Sequence, residues 1–388
     1  MKIRLFYHSL VSDWNHGNAH FLRGVASELV ARRHDVVTYE PRDSWSATNL
    51  VAEHGRAPLR KWREVYPRLK SVRYDASKVN YERLVRGTDL VIVHEWNPPE
   101  LVGALGALRR KHGFVLLYHD THHRLITETS AMHACDLSAY DGVLAYGEVL
   151  RRIYVTERGV RRAWTWHEAA DTRVFKPLAG VEPGGDLVWI GNWGDDERSE
   201  ELREFLIEPV KKLGLKARVY GVRYPEHARA QLAEAGIEYA GWLPNFEVPQ
   251  VFAQFKVTVH VPRRPYVRAL PGIPTIRPFE ALACGIPLVC SPWRDTEHLF
   301  TPGKDFRIAR DGAQMVRQLQ ALLGDERKRR AQVRHGLKTV RARHTCARRV
   351  EELLAIHRQV LAERKAVVVP AARLFRRKPA AAHEATAG

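Results

Sequence analysis

Apolar positions along this chain fall into two rhythms, short strand-like runs and longer stretches with helical spacing. Lys2 to Tyr7 alternates into a first strand. Phe21, Leu22, Val25, Leu29 and Val30 then line one face of a helix over about 19–33. His34 to Tyr39 is the next strand, so the chain opens as a βαβ unit with a polar loop, Ser9 to Asn18, before its helix. Leu90 to Val93 and Phe114 to Tyr118 are apolar throughout and predict buried parallel strands. Helices over Leu101–Lys111 and from Gly147 to about Thr156 follow them. Trp45 to Glu82 has no clean period and reads as an irregular helical insertion.

A second alternation begins after a hinge rich in Gly and Pro, residues 179–185. Strands at Asp186–Ile190, Ala217–Tyr220, Lys256–Val261 and Ile286–Cys290 are separated by helices at Ser199–Leu213, His227–Ala235, Val248–Phe255 and from Pro278 to Gly285. Helices over Gly312–Leu323, Asp325–Arg343 and Cys346–Arg364 close the pattern. The prediction is an α/β chain of two doubly wound domains, 1–178 and 183–345, with a flexible tail over 365–388.

Composition agrees with two packed domains: 388 residues, 45% hydrophobic and 27% charged, which excludes wholesale disorder. Residues Met1 to His8 lack the apolar core of a signal peptide, and no apolar stretch is long enough to span a bilayer. Cys135, Cys284, Cys290 and Cys346 show neither metal spacing nor a disulfide framework. A cytoplasmic chain is expected. The formal charge of +18 favours an anionic partner, whether nucleotide phosphate, anionic membrane or nucleic acid.

The densest candidate chemistry lies at Thr275-Ile276-Arg277-Pro278-Phe279-Glu280. Pro near the helix start and Gly285 after its end mark the boundaries. The free N–H groups at Thr275, Ile276 and Arg277 can hold phosphates, Arg277 can clamp them, and Glu280 can accept hydrogen bonds from ribose hydroxyls. An ordinary αβ unit with an acid favouring the helix dipole fits the same residues. Gly191-Asn192-Trp193-Gly194 is a post-strand turn whose glycines let the backbone approach a phosphate. In the first half, Trp14 to His20 and His119-Asp120-Thr121-His122-His123-Arg124 concentrate polar groups at strand ends, as does Glu95. A His held by an adjacent Asp is a general-base arrangement, so His119 and Asp120 are candidates, with Glu95 and Glu148 as competitors. The histidines also have metal-like spacing, without a convincing frame of further ligands.

Phe279-Glu280-Ala281-Leu282-Ala283-Cys284-Gly285-Ile286-Pro287-Leu288-Val289 resembles the EAxACGxPV signature of GT-B glycosyltransferases, in particular the group-1 set and its CgeB-like branch. The resemblance covers about residues 1–360 and includes Asp171, Phe175 and Pro177 of the segment that joins the two domains. It implies two Rossmann-like domains facing a central cleft, with 346–364 crossing back onto the first. It also implies that Glu280 binds the donor ribose, with Gly191, Asn192, Trp193 and Arg198 at the diphosphate and Trp242 and Leu243 at the nucleobase. Gly17, Asn18 and His20 match the family's acceptor-side loop, with His20 a second candidate base and His122 a further cleft residue. The position of a second, sugar-contacting Glu is taken by Gly272. The implied activity is metal-independent transfer of a hexose-like sugar from a nucleotide diphosphate to a hydroxyl of a glycan, lipid-linked or small-molecule acceptor. A nucleotide-sugar epimerase, a nucleic-acid-binding protein and an enzyme that glycosylates nucleic acid remain as alternatives.

Overall fold

The computed structural model describes residues 1–374. Two parallel sheets form its centre. The first has seven strands: β1 (Lys2–Phe6), β2 (Asp35–Pro41), β3 (Ser71–Tyr74), β4 (Leu90–His94), β5 (Val115–Asp120), β6 (Gly142–Ala145) and β7 (Ala163–Thr165), ordered 3-2-1-4-5-6-7. The second has six: β8 (Gly185–Ile190), β9 (Ala217–Tyr220), β10 (Glu238–Tyr239), β11 (Phe255–His260), β12 (Leu288–Cys290) and β13 (Arg307–Ile308), ordered 10-9-8-11-12-13. Each order reverses once, between β1 and β4 and between β8 and β11. Ligands of doubly wound sheets bind beyond the strand C-termini at such switch points. β1 and β4 pair with Leu5 opposite Ile92, and both residues are fully buried, as expected of strands covered on both faces.

The insertion over Trp45–Glu82 departs from the expectation. It contains helices at Trp45–His54 and Ala57–Val65, but Ser71–Tyr74 pairs with β2 as an edge strand. This strand is half exposed and so lacks a buried strand's apolar signature. β10 and β13, with two residues each, were below the length that a pattern can show.

Helix α1 (Ala19–Ala31) packs beneath the first sheet, helix α2 (Ile276–Cys284) opens at the edge of the second, α3 (Glu326–Arg343) covers α2, and α4 (Cys346–Leu374) returns to the first sheet. The return is close: a Cβ at Gly24 on α1 would collide with the Cys346 sulfur. Polar ties hold it, Trp166 Nε1 donating to the Arg349 carbonyl at 2.9 Å and Arg364 pairing with Asp141 at 2.5 Å. α4 runs ten residues past the expected end at Arg364, and the rest of the expected tail, 375–388, lies outside the described residues.

Candidate active site

Three loops of the second domain bring guanidinium groups together. β8 ends at Ile190 and turns through Gly191–Gly194, β11 leads from His260 to Arg263, and α2 starts behind Thr275. Arg198 is buried; its Nη1 donates to the Val261 carbonyl at 3.0 Å and its Nη2 to the backbone and side-chain oxygens of Asn192, each at 2.7 Å. Among the described residues it has no ion-pair partner. Burial first, then Arg263 and Arg277, push its guanidinium down to about 9. Arg263 bonds Asn192 at 3.0 Å and Glu197 at 2.6 Å, while Arg277 pairs with Glu280. A buried cation without a counter-charge is costly, and a bound anion relieves that cost.

Local backbone explains how the acids of the loop avoid Arg198. Asp195 and Asp196 take φ values of 47° and 65°, stay exposed, and turn to Arg223 and Ser199. Gly194, at φ 96°, leaves room for Arg198, whose Nε lies 2.9 Å from where a Cβ would stand. Thr275 is also left-handed, at φ 59°, a strained conformation for a β-branched residue, and no side chain caps α2. The first-turn N–H groups of Ile276 and Arg277 are thereby open to a ligand. Burial, with Arg198 and Arg277 adding, lowers His260 to about 3, so its ring is neutral beside Thr275.

Glu280 is fully buried between the domains. One carboxylate oxygen accepts from His20 Nδ1 at 2.7 Å and the other pairs with Arg277. His20 Nε2 accepts the Asp171 backbone N–H at 2.8 Å, which places its proton on Nδ1, and its ring stacks on Phe175 at 3.6 Å. Both nitrogens are occupied, so His20 is not positioned as a base. It tethers α1 to α2.

The expected His119–Asp120 dyad is also absent. Successive strand residues face opposite sides. His119 turns to Trp166, ring centroids 4.9 Å apart, with neither nitrogen bonded, and burial lowers it to about 3. Asp120 faces the other way and accepts from Tyr154 Oη at 2.7 Å and the His122 N–H at 3.1 Å. Its acidic neighbour is Glu95, whose Oε1 accepts from the Thr121 N–H at 2.8 Å and whose Oε2 is buried without a partner. Burial pushes Asp120 up to about 6; burial and then Asp120 raise Glu95 well above its usual range. The two carboxyls titrate as a pair, and Glu95 keeps its proton in preference to Asp120.

The other expected residues divide. Asn18 donates to the Thr121 carbonyl at 3.0 Å, and Gly17 faces Ile276, whose Cγ2 lies 3.5 Å from a Cβ there. His122 is half-buried, neutral through burial first and His123 second, with Nδ1 unpartnered. Trp193 is not at the site: its ring lies in the second domain's core against Tyr224. Trp242 and Leu243 line a separate groove of about 780 Å³ with Tyr220, Val174 and Lys176, a wall that does not include Arg198 or Glu280. Glu148 is taken up by Arg151 and Thr165, which hold it near 2. No group of three His, Cys, Asp or Glu among the described residues is placed to hold a metal.

Three residues gain partners that the sequence reading did not assign to them, although Asn15 and His123 lie in stretches it singled out. Asn15 reaches across to Asn192, His123 lies 3.5 Å from Glu197, and Glu297 accepts the Glu148 N–H at 2.9 Å and meets His167 at 3.0 Å. Each joins partners more than 70 residues apart, and no local pattern signals the pairings. Glu297 also explains Gly272. A Cβ at Gly272, where φ is 97°, would stand 2.6 Å from Thr296 Oγ1 and 3.0 Å from Glu297 Oε1. Gly272→Ala should lower unfolding free energy by roughly 1–3 kcal/mol, read from the urea midpoint.

The comparisons with known proteins bear on this geometry. Residues 198–355 match the model of a family described as glycosyl transferase-like. Among solved structures, the chain is similar to sucrose-phosphate synthase from Thermosynechococcus elongatus, with TM-score 0.68, 14% identity and coverage of 93% of this chain and 99% of that one. It is also similar to Anabaena HepE, solved with UDP and glucose, with TM-score 0.64, 13% identity and coverage of 92% and 99%. An alpha-glucosyltransferase solved with UDP and a 13-mer DNA gives TM-score 0.66, 12% identity and coverage of 92% and 99%. No curated protein sequence matches. The family match is confined to residues 198–355, and the likeness to the solved structures shows a shared fold over nearly the whole chain. The matched segment carries Arg198, Arg263, Arg277 and Glu280.

Proposed function

We propose that this protein is a glycosyltransferase that takes a hexose-like sugar from a nucleotide diphosphate, UDP being the first candidate, and attaches it to an acceptor hydroxyl. The observation that carries this reading is Arg198, a buried guanidinium without an acid, beside Arg263, Arg277 and the open start of α2. These groups receive the diphosphate and stabilise its charge as the sugar–oxygen bond breaks. Glu280 receives the ribose hydroxyls through the lone pairs left beside His20 and Arg277. The acceptor hydroxyl loses its proton to the Glu95–Asp120 pair as its oxygen bonds to the sugar carbon. The reading needs no metal, since guanidinium and backbone N–H groups supply the positive charge. The UDP found in HepE and in the alpha-glucosyltransferase supports the choice of nucleotide.

The Phe279–Val289 signature supports a place in the CgeB-like branch, with a cell-surface glycan or glycoconjugate as the product class. No helix among the described residues is long and apolar enough to cross a membrane. We assign the protein to the cytoplasm, with peripheral contact to anionic membrane as an option its charge allows. One observation favours a second reading, nucleic acid as acceptor. Arg327, Arg334, Lys338 and Arg341 are exposed, recur along one face of α3, and have no ion-pair partner among the described residues.

Product analysis tests the reading. The protein is incubated with a panel of nucleotide sugars, with and without glycan, lipid-linked and DNA acceptors. Acceptor-dependent release of one nucleoside diphosphate is expected. Conversion of the donor without acceptor would indicate an epimerase, and salt-sensitive DNA binding without any turnover would indicate a binding protein.

A further inference from the structure

Glu168 lies where the first domain ends, in the segment after β7, and is 2% exposed. None of its carboxyl oxygens has a hydrogen-bond partner among the described residues, and Oε1 is fully enclosed. Such a group is costly to maintain without a role, because a buried polar atom without a partner loses its water and gains nothing in return. Its surroundings are those of the cleft. The Glu280 carboxylate acts on it from α2, and it acts in turn on Tyr146 and Tyr266. Those two rings lie 6.3 Å apart, and the Tyr146 hydroxyl is likewise buried without a well-formed hydrogen bond. Tyr266 in turn meets His123 at 5.2 Å, on the wall formed by the first domain. Its chain neighbours fix it in the domain junction: His167 bonds the Tyr146 carbonyl at 3.1 Å and meets Glu297 at 3.0 Å, and the Asp171 N–H donates to His20, the partner of the ribose residue Glu280.

We propose that Glu168 is a specificity-determining residue that contacts the donor's hexose, its carboxyl bonding a sugar hydroxyl that satisfies the orphaned oxygens. This rests on the donor-site reading given above. Burial first, and the charge of Glu280 second, raise Glu168 well above the usual carboxyl range, which favours a carboxyl that both donates and accepts. A glutamine offers the same two capacities, whereas alanine offers neither.

The test is calorimetric titration of UDP and of UDP-glucose into the wild type, Glu168→Gln and Glu168→Ala, with thermal melts to verify folding. UDP has no sugar and should bind all three proteins within about twofold. UDP-glucose should bind the wild type and Glu168→Gln alike, and Glu168→Ala at least tenfold more weakly. Equal weakening of UDP and UDP-glucose in Glu168→Ala would overturn the inference and leave Glu168 a structural residue. An unchanged affinity for UDP-glucose in that variant, or a wild type that binds UDP but not UDP-glucose, would overturn it as well. A wild type that binds neither ligand removes UDP from the donor-site reading on which the inference rests, an outcome distinct from the others.

Discussion

Glu280→Ala should reduce kcat/KM for sugar transfer by a hundredfold or more. Two charge-assisted hydrogen bonds to ribose, at about 1.5–3 kcal/mol each, account for at least that factor. The same substitution leaves Arg277 and His20 without their shared partner inside the domain interface. Breaking a buried ion pair by removing one member costs roughly 3–5 kcal/mol. The urea midpoint should therefore fall together with activity. Glu280→Gln separates the two effects, because its carbonyl can still accept from His20 while its amide faces Arg277 unfavourably. It should recover part of the stability and little of the activity. An alanine variant with wild-type kcat/KM would exclude Glu280 from the donor site.

Asp120→Asn should lower kcat by about 10²–10⁴, the range expected for loss of a general base. Its pH dependence carries more information than its size. Asp120 is pushed up to about 6 by burial, and a base acts when ionised, so wild-type kcat should rise with pH through about 6. Asp120→Asn should lose that limb, and Glu95→Gln should shift it, since the two carboxyls titrate as a pair. Stability moves in the opposite direction. The folded-state value lies above the unfolded one of 3.8, so the Asp120 contribution is present below pH 4 and is lost as pH rises through 6. Asp120→Asn should thus be most destabilising near pH 4 and least near pH 8, measured by urea unfolding at both. A pH-independent stability difference with unchanged kcat would place the base elsewhere.

The parts of this molecule legible in its sequence are those decided by neighbours along the chain. Leu90–Val93 and Lys256–Val261 read as buried strands because apolar runs between loops have few other uses, and the closing helices show their periods plainly. The end of α2 was legible from Gly285, and its start lies at Ile276, two residues before the Pro278 that marked it in the sequence. What could not be read were pairings over long sequence distances. His20 looks like a free imidazole until Asp171 and Glu280 are brought to its two nitrogens. Arg198 directly follows three acids in the chain, and nothing local announces the left-handed backbone of Asp195 and Asp196 that turns those two outward. The His119–Asp120 dyad differs: strand alternation alone separates the two side chains, and that rule was available from the sequence. Glu168, between His167 and Ala169, carries no local sign of a role, since an orphaned carboxyl is defined by what surrounds it in space.

The most direct measurement is calorimetric titration of UDP, GDP, ADP, CDP and dTDP into the wild type and Glu280→Gln. One diphosphate should bind the wild type tightly and the variant at least tenfold more weakly, while the variant's far-UV spectrum stays unchanged. Absence of binding by all five, or equal binding to both proteins, would contradict a nucleotide-sugar site at Arg198, Arg277 and Glu280.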